Sequence, residues 1–381
     1  MSAIKPKHGK ITLHLKALSW FAKLLTNKES FSAYLEQIIQ LFKPEWRHKM
    51  VLAKVVAKHS ESKNIYTLTL KPGKKWTPFQ AGQFILLSAE INGRLLTRTF
   101  SISSAPRDFE NTGLIEVSIR AQDKGSVTPW LKANLKAGNT LYISQAMGEF
   151  VIHPTKAKKV FIAGGSGITP IRSMLKENID SAWLKDAHLF FYLKRPEDAI
   201  FAADLYQLSK KGLQVHHIFT EQQGRFSMEH LSKQISESDL SAHEYYICGP
   251  GNMITDCSTS LSEAGINQTQ IHSEFFGAKP AAPIQGLADD DAHEFIQVDY
   301  LDSRKQVQFT SGTVTKTLLE LAEEEGLKPV SGCRMGVCHQ CICTKKQGRV
   351  FNTKTQTISD SGTEDIQLCL SVPMGPVELQ L

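Results

Sequence analysis

Cys333, Cys338, Cys341 and Cys369 stand as C-x4-C-x2-C with a fourth cysteine well downstream, and this spacing constrains the last part of the chain more than any other feature. Three thiols on one tight loop, in the run Gly332-Cys333-Arg334-Met335-Gly336-Val337-Cys338-His339-Gln340-Cys341, can wrap a two-iron rhomb. The fourth must return from a distant strand, so such a site exists only inside a folded domain. Structural zinc sites usually show two C-x2-C-like pairs instead. Seven cysteines in 381 residues are sparse and odd in number, unlike a secreted disulfide scaffold. The spacing points to a [2Fe–2S] cluster held by these four residues, with zinc or plain thiols as the alternatives, and to one-electron chemistry. Cys343 is expected to begin the strand leaving the loop and to face away from the cluster.

The rest of the chain has room for two or three domains. Its hydrophobic content of 41% and charged content of 22% are those of a globular protein. No run of 18 apolar residues appears, and the basic N-terminus lacks an apolar core and a cleavage site, so the expected compartment is the cytoplasm. Charge is uneven: residues 1–76 hold 15 Lys/Arg against 4 Asp/Glu, and residues 281–381 hold 14 Asp/Glu against 9 Lys/Arg. The basic end suits an acidic partner or anionic lipid, or is simply a solvated face. Basic clusters interleaved with aromatics are missing, so no nucleic-acid partner is expected.

Five segments follow from the patterning. Residues 1–46 read as a helical extension, with Leu13, Leu18, Phe21 and Leu24 and then Tyr34, Leu35, Ile38 and Phe42 at helical spacing, stopped by Pro44. Packing on the body is the first reading of this extension, with partner binding or peripheral contact at the inner face of a membrane as the others. Residues 47–153 show six short alternating runs, 51–58, 65–70, 83–89, 97–103, 114–120 and 140–145, the pattern of a small antiparallel β-barrel. Residues 154–277 alternate strands (160–163, 187–193, 214–219 and 244–248) with helices, the pattern of a parallel α/β sheet. Residues 278–292, rich in Ala, Pro, Gly and Asp, read as a linker. Residues 293–381 begin with strands and a helix over 315–325, and end in the cysteine-bearing domain.

Four further motifs carry chemistry. Gly165-x-Gly167-x-x-Pro170, with Thr169, sits where a strand meets a helix, and glycines there let a phosphate approach the backbone. Cys248-Gly249-Pro250 closes another strand of the same sheet, at the end where open parallel sheets bind ligands. A core cysteine is the plainer reading of Cys248. In Arg98-Thr99-Phe100-Ser101 an arginine can pair with a diphosphate, an aromatic on the same strand face can lie against a flat ring, and a hydroxyl can meet a ring nitrogen. Gly125-Ser126-Val127-Thr128 offers a second phosphate cradle.

The order RxFS, GxxT, GGSGITP and CGP resembles the ferredoxin–NADP⁺ reductase superfamily, and the C-terminal domain resembles a plant-type ferredoxin; together they cover about residues 47–381. The superfamily usually has RxYS, so Phe100 keeps the ring stack and loses a hydroxyl contact. The resemblance implies a multidomain reductase: a flavin barrel, an α/β nucleotide domain and a β-grasp [2Fe–2S] domain that together pass electrons from NAD(P)H to an external acceptor. It implies FAD ahead of FMN at Arg98, Thr99, Phe100, Ser101, Gly125, Ser126, Val127 and Thr128. It implies NADH or NADPH at Gly165, Gly167, Thr169, Pro170, Arg225, Cys248, Gly249 and Pro250. Ser101, Cys248 and Glu274 are the catalytic candidates. Glu274 and Phe276, after the last strand, are expected on the flavin's far side, with a plain domain edge as the competing reading. At Thr220-Glu221 a carboxylate would repel a 2′-phosphate while Arg225, Lys194 and Arg195 would attract it, so the nucleotide stays open.

The implied acceptor is an oxygenase or an acyl desaturase, served by a monomeric reductase. Two other classes compete: a self-contained NAD(P)H:quinone or small-acceptor oxidoreductase, and a metal-binding redox-sensing module.

Overall fold

The computed structural model describes residues 49–122, 127–276, 295–310 and 316–381. The expected N-terminal helices, the 278–292 linker, Gly125 and Ser126 lie outside the described residues.

Six antiparallel strands build the first sheet: β1 (Met50–Ser60), β2 (Ile65–Pro72), β3 (Phe84–Ile91), β4 (Arg94–Ser101), β5 (Ile115–Arg120) and β6 (Thr140–Ser144), in the order β4-β3-β6-β1-β2-β5. A bridge from Ile102 to Val117 returns the end of β4 to β5 and closes the barrel. Alternation sends Val55, Leu68, Leu70, Ile85, Leu87, Val117 and Ile143 into its core. Helices α1 (Pro106–Thr112) and α2 (Val127–Asn134) flank it. Lys58 Nζ donates to the carbonyls of Lys132 and Leu135 at the C-terminal end of α2, where a cation opposes the helix dipole. Tyr66 Oη donates to Thr128 O (3.2 Å) at the other end, so both ends of α2 are fixed to the barrel.

The second sheet is parallel: β7 (Lys158–Gly164), β8 (His188–Leu193), β9 (Gln214–Phe219), β10 (His243–Gly249) and β11 (Ile271–Phe275), ordered β11-β10-β7-β8-β9. β8 and β10 are buried along their whole length, as helix-covered parallel strands are. Helices α3 (Ile168–Glu177), α4 (Ala202–Lys210) and α5 (Gly251–Glu263) pack on it. The sequence pattern predicts four strands here and misses β11. The middle of Ile271-His272-Ser273-Glu274-Phe275 is polar, so the segment has no apolar run to read. Glu274 therefore lies inside a strand, in register with Cys248 of β10, and not beyond the last one.

A polar seam joins the two units. Arg172 of α3 donates from Nη1 to Glu116 Oε2 (2.8 Å) and Ser103 O (2.9 Å) in the barrel, and from Nε to Asp204 Oδ2 (2.6 Å) in its own domain. Its guanidinium lies 4.4 Å from the Phe201 ring centroid. Ser173 Oγ donates to Ser104 O (2.6 Å), and the Arg107 amide donates to Glu177 Oε2 (2.9 Å).

The C-terminal unit holds β12 (Phe295–Tyr300), β13 (Lys305–Thr310), β14 (Ile342–Gln347), β15 (Val350–Asn352), β16 (Thr357–Ile358), β17 (Glu364–Gln367), β18 (Ser371–Pro373) and β19 (Val377–Leu379). Its main sheet runs β13-β12-β19-β14-β17, with β12 and β19 parallel, and helix α6 (Leu318–Glu324) buries Leu318, Leu319, Leu321 and Ala322 in the core beneath it. This is the expected β-grasp arrangement. Thr317 and Glu320 cap α6 reciprocally, a capping box. Cys343 is buried on β14 with its S–H facing Gln380 O, away from the cysteine loop. Among the described residues no helix is long and apolar enough to cross a membrane.

Near the N-terminal ends of β8, β9 and β10, His188 Nδ1 lies 3.2 Å from His216 Nε2, and the His243 ring lies beside them. Burial first, then His216, His243 and Lys158, pushes His188 down to about 4 from an ordinary 6.5. The unfolded chain thus binds more protons between those values, so stability is full above pH 6.5 and falls as pH drops through 4. His188→Gln is expected to flatten the unfolding free energy across that window in denaturant titrations; an unchanged slope contradicts the assignment.

Candidate active site

Two cavities open at the domain boundaries, the first among all three units and the second between the barrel and the parallel sheet. The first, about 650 Å³, is lined by Arg98, Thr99, Phe100 and Ser101 of β4, by Val127 and Thr128 opening α2, by Ser166 and Thr169 of the glycine loop, and by Thr317, Leu319, Glu320, Gly332, Cys333 and Arg334 of the C-terminal unit. The second, about 1090 Å³, lies over the C-terminal ends of β7, β8 and β10 and is lined by Gly164, Gly165, Tyr192, Lys194, Arg195, Arg225, Phe226, Gly249, Pro250 and Met253, among others. Arg120, Gln122, Ser166 and Phe276 line both, so the cavities share a wall.

The first cavity fits a flavin nucleotide. Thr99 Oγ1 and Ser101 Oγ are buried and have no hydrogen-bond partner among the described residues, which costs free energy unless a ligand supplies one. Phe100 is half-buried and stands on the cavity wall beside them. Arg98 donates from Nη1 to Thr97 O (2.7 Å); burial, then the nearby Arg334, pushes its pKa down. Gln122 N donates to Thr128 Oγ1 (3.1 Å), tying the end of β5 to α2.

The second cavity fits a dinucleotide. A Cβ built on Gly167 would stand 2.0 Å from Cys248 O, so only glycine lets this loop rest on the Cys248-Gly249-Pro250 strand end. Lys63, Arg120, Lys194, Arg195 and Arg225 face Glu197, Asp198 and Asp256 across the wall, a net positive surface suited to a polyanion. Glu221 is tied to Arg195 (Nε to Oε2, 2.8 Å).

Cys248 and Glu274 sit beneath the sites and line neither cavity. Cys248 is fully buried, and burial pushes its thiol up. Burial likewise pushes Glu274 up to about 8, and its Oε2 is unpartnered among the described residues. Gly167 and Pro170 are buried supports of the loop, whereas Thr169, expected at the nucleotide, faces the first cavity. Sequence reasoning missed Arg120, Gln122, Ser166 and the wall from the C-terminal unit. Arg120, a charged residue ending a strand just before Gly125-Ser126-Val127-Thr128, was a usable signal.

The four cysteines converge as two pairs. The thiols of Cys333 and Cys338 are in hydrogen-bond reach of each other, as are those of Cys341 and Cys369. Among the described residues no three His, Cys, Asp or Glu side chains close on a single ion. Two pairs suit a two-iron cluster with two thiolates per iron better than one tetrahedral zinc. Backbone N–H groups of Met335, Val337 and Cys338 donate to Cys333 Sγ at 3.3–3.4 Å, a cage for a thiolate. The Cys338 thiol and those amides hold Cys333 below the usual thiol range, and the Cys369 thiol does the same for Cys341. Gly336 turns the loop at φ 71°, with no room for a Cβ against Leu370.

Two outcomes test this arrangement. Gly167→Ala overpacks the strand end and is expected to cost about 1–3 kcal/mol and to weaken nicotinamide-nucleotide binding while flavin is retained; equal nucleotide affinity in calorimetry contradicts the close packing. Glu274, raised from 4.5 to about 8, contributes stability that is full below pH 4.5 and lost as pH rises through 8. Glu274→Gln is therefore expected to gain thermal stability relative to the parent as pH climbs through that window, and a constant difference contradicts it.

Comparison with known proteins finds the same three kinds of domain in the same order. Residues 52–152 match the oxidoreductase FAD-binding domain, 161–259 the oxidoreductase NAD-binding domain and 301–374 the 2Fe-2S iron-sulfur cluster binding domain. An NADPH oxidoreductase of Mycobacterium tuberculosis is 26% identical over 91% of this chain and 88% of its own length. The stachydrine N-demethylase reductase subunit of Rhizobium meliloti is 27% identical over 85% of this chain and 95% of its own. The fold of phthalate dioxygenase reductase superposes with a TM-score of 0.57 at 20% identity, covering 87% of this chain and 98% of that one. The chain is thus an oxidoreductase built from an FAD-binding domain, an NAD-binding domain and a C-terminal 2Fe-2S iron-sulfur cluster binding domain, with the fold of phthalate dioxygenase reductase.

Proposed function

We propose that this protein is the reductase component of an oxygenase system, taking electrons from NAD(P)H and delivering them one at a time to a separate terminal enzyme. The observation that carries the reading is the first cavity, whose walls come from β4, from the glycine loop and from the cysteine loop at Cys333. When bound, flavin accepts a hydride from a nicotinamide nucleotide and releases its electrons singly to a [2Fe–2S] centre.

The chain's residues divide that work. Arg98, Thr99, Phe100, Ser101, Val127 and Thr128 hold the flavin, with Gly125 and Ser126 as the expected rest of its cradle. Ser101 Oγ, buried and unpartnered among the described residues, orients the ring edge. Gly165, Arg225, Gly249 and Pro250 receive the nucleotide. Phe276, on the wall common to both cavities, would stand between the flavin and the nucleotide. Glu274, neutral at pH 7 by burial, keeps negative charge away from the place where hydride leaves. Cys333, Cys338, Cys341 and Cys369 ligate the cluster. We take 47–153, 154–277 and 293–381 as the bounds of the three domains.

The terminal acceptor is an oxygenase component, ahead of an acyl desaturase. Relatives at 27–28% identity include glycine betaine monooxygenase reductase subunits from Chromohalobacter salexigens and Pseudomonas aeruginosa. A monomer, with residues 1–46 docking it to the acceptor or to a membrane surface, completes the proposal.

Anaerobic purification should give flavin and iron–sulfur absorption that both bleach on adding NADH or NADPH. A protein lacking either chromophore, or one that NAD(P)H leaves oxidised, overturns the proposal. Ser101→Ala is expected to slow flavin bleaching about tenfold, the loss of one strong hydrogen bond; stopped-flow absorbance reads it.

A further inference from the structure

The cysteine loop does more than present thiols to the first cavity. Arg334, directly after Cys333, lines that cavity from the C-terminal unit, opposite Arg98 of the barrel. Its backbone is left-handed (φ 58°), unusual for a residue with a Cβ, and its guanidinium is held by Glu323 of α6. Gln340 Nε2, on the same loop, reaches Thr97 Oγ1 at 3.3 Å, next to Arg98 on β4. Among the described residues that line this cavity the one carboxylate, Glu320, accepts from the Thr317 amide (2.8 Å) and hydroxyl (2.9 Å). Two guanidiniums from different domains thus face one space, beside the hydroxyls of Thr99 and Ser101, which have no partner among the described residues.

Like charges brought together on a half-buried wall are costly unless an anion lies between them. Burial and then Arg334 push the Arg98 pKa down, and Glu323, paired with Arg334, offsets only part of that. A phosphate or diphosphate group is the anion that guanidinium pairs fit best, through paired N–H donors.

We infer that Arg334 is a flavin-binding residue supplied by the iron–sulfur domain, sharing the phosphate end of the flavin nucleotide with Arg98, so that the flavin clamps the two domains together. The inference rests on the function proposed above. Flavin affinity and docking of the iron–sulfur domain are then reciprocally linked: whatever loosens the dock weakens the flavin. Glu323 is a positioning residue, holding Arg334 over the cavity, and Gln340 is the second point of the latch.

The test is FAD titration of the deflavinated full-length protein, read by quenching of flavin fluorescence, with the cluster checked by electron paramagnetic resonance after dithionite reduction. Asparagine tolerates left-handed backbone, so Arg334→Asn removes the cation and keeps the loop. Arg334→Asn is expected to raise the FAD dissociation constant about tenfold or more and to make it less sensitive to salt, with the cluster signal unchanged. Arg334→Lys should stay within about threefold of the parent. An unchanged dissociation constant in Arg334→Asn with an intact cluster overturns the inference. If that variant assembles no cluster, Glu323→Gln, outside the loop, replaces it with the same expected direction, and unchanged FAD affinity there overturns the inference. Riboflavin, which lacks phosphate, should bind the parent and Arg334→Asn alike; a riboflavin affinity that falls as far as that for FAD also overturns it. Failure of the parent protein to take up any flavin would instead defeat the proposed function.

Discussion

Arg172 is a buried cation with partners on both sides of a domain boundary. Removing a guanidinium from water costs several kcal/mol unless carboxylates and carbonyls replace the solvent. Here Asp204 supplies one partner from the cation's own domain, while Glu116 and Ser103 O supply the others from the barrel. The charge is therefore satisfied only when barrel and parallel sheet are in register with each other. That requirement places the end of β5, and with it Arg120 and Gln122, against the glycine loop after β7, which gives the two cavities their common wall.

A shared wall has a chemical consequence. Hydride transfer needs its two partners in contact, and both cavities open at Phe276 and Ser166. Onward transfer of single electrons needs the next centre near the flavin but not in the nucleotide's way. Cys333 meets that need by lining the first cavity without lining the second. In this account the order of electron flow is built into which walls each cavity has, and the three domains are parts of one site.

Much of this was legible in the chain. The six barrel strands follow from alternating patterns, the parallel sheet from buried runs between helices, and the convergence of the four cysteines from their spacing. Two kinds of feature were not. β11 escaped because edge pairing with β10 holds its polar His272, Ser273 and Glu274 in a strand where no apolar pattern marks one. The seam and the cavity wall escaped because they join residues far apart in sequence, such as Arg172 with Glu116 or Arg98 with Arg334, and no local pattern encodes such meetings. Cys248 and Glu274 carried two sequence readings each, and both are buried beneath the cavities and line neither wall.

The central claim is that one cavity, walled by all three domains, receives the flavin. A crystal structure of the full chain loaded with flavin and cluster tests it most directly. The account predicts ring density beside Phe100 and Ser101, with Cys333 on the same cavity's wall. Flavin density elsewhere, or an iron–sulfur domain turned away from β4 with the flavin in place, would contradict it.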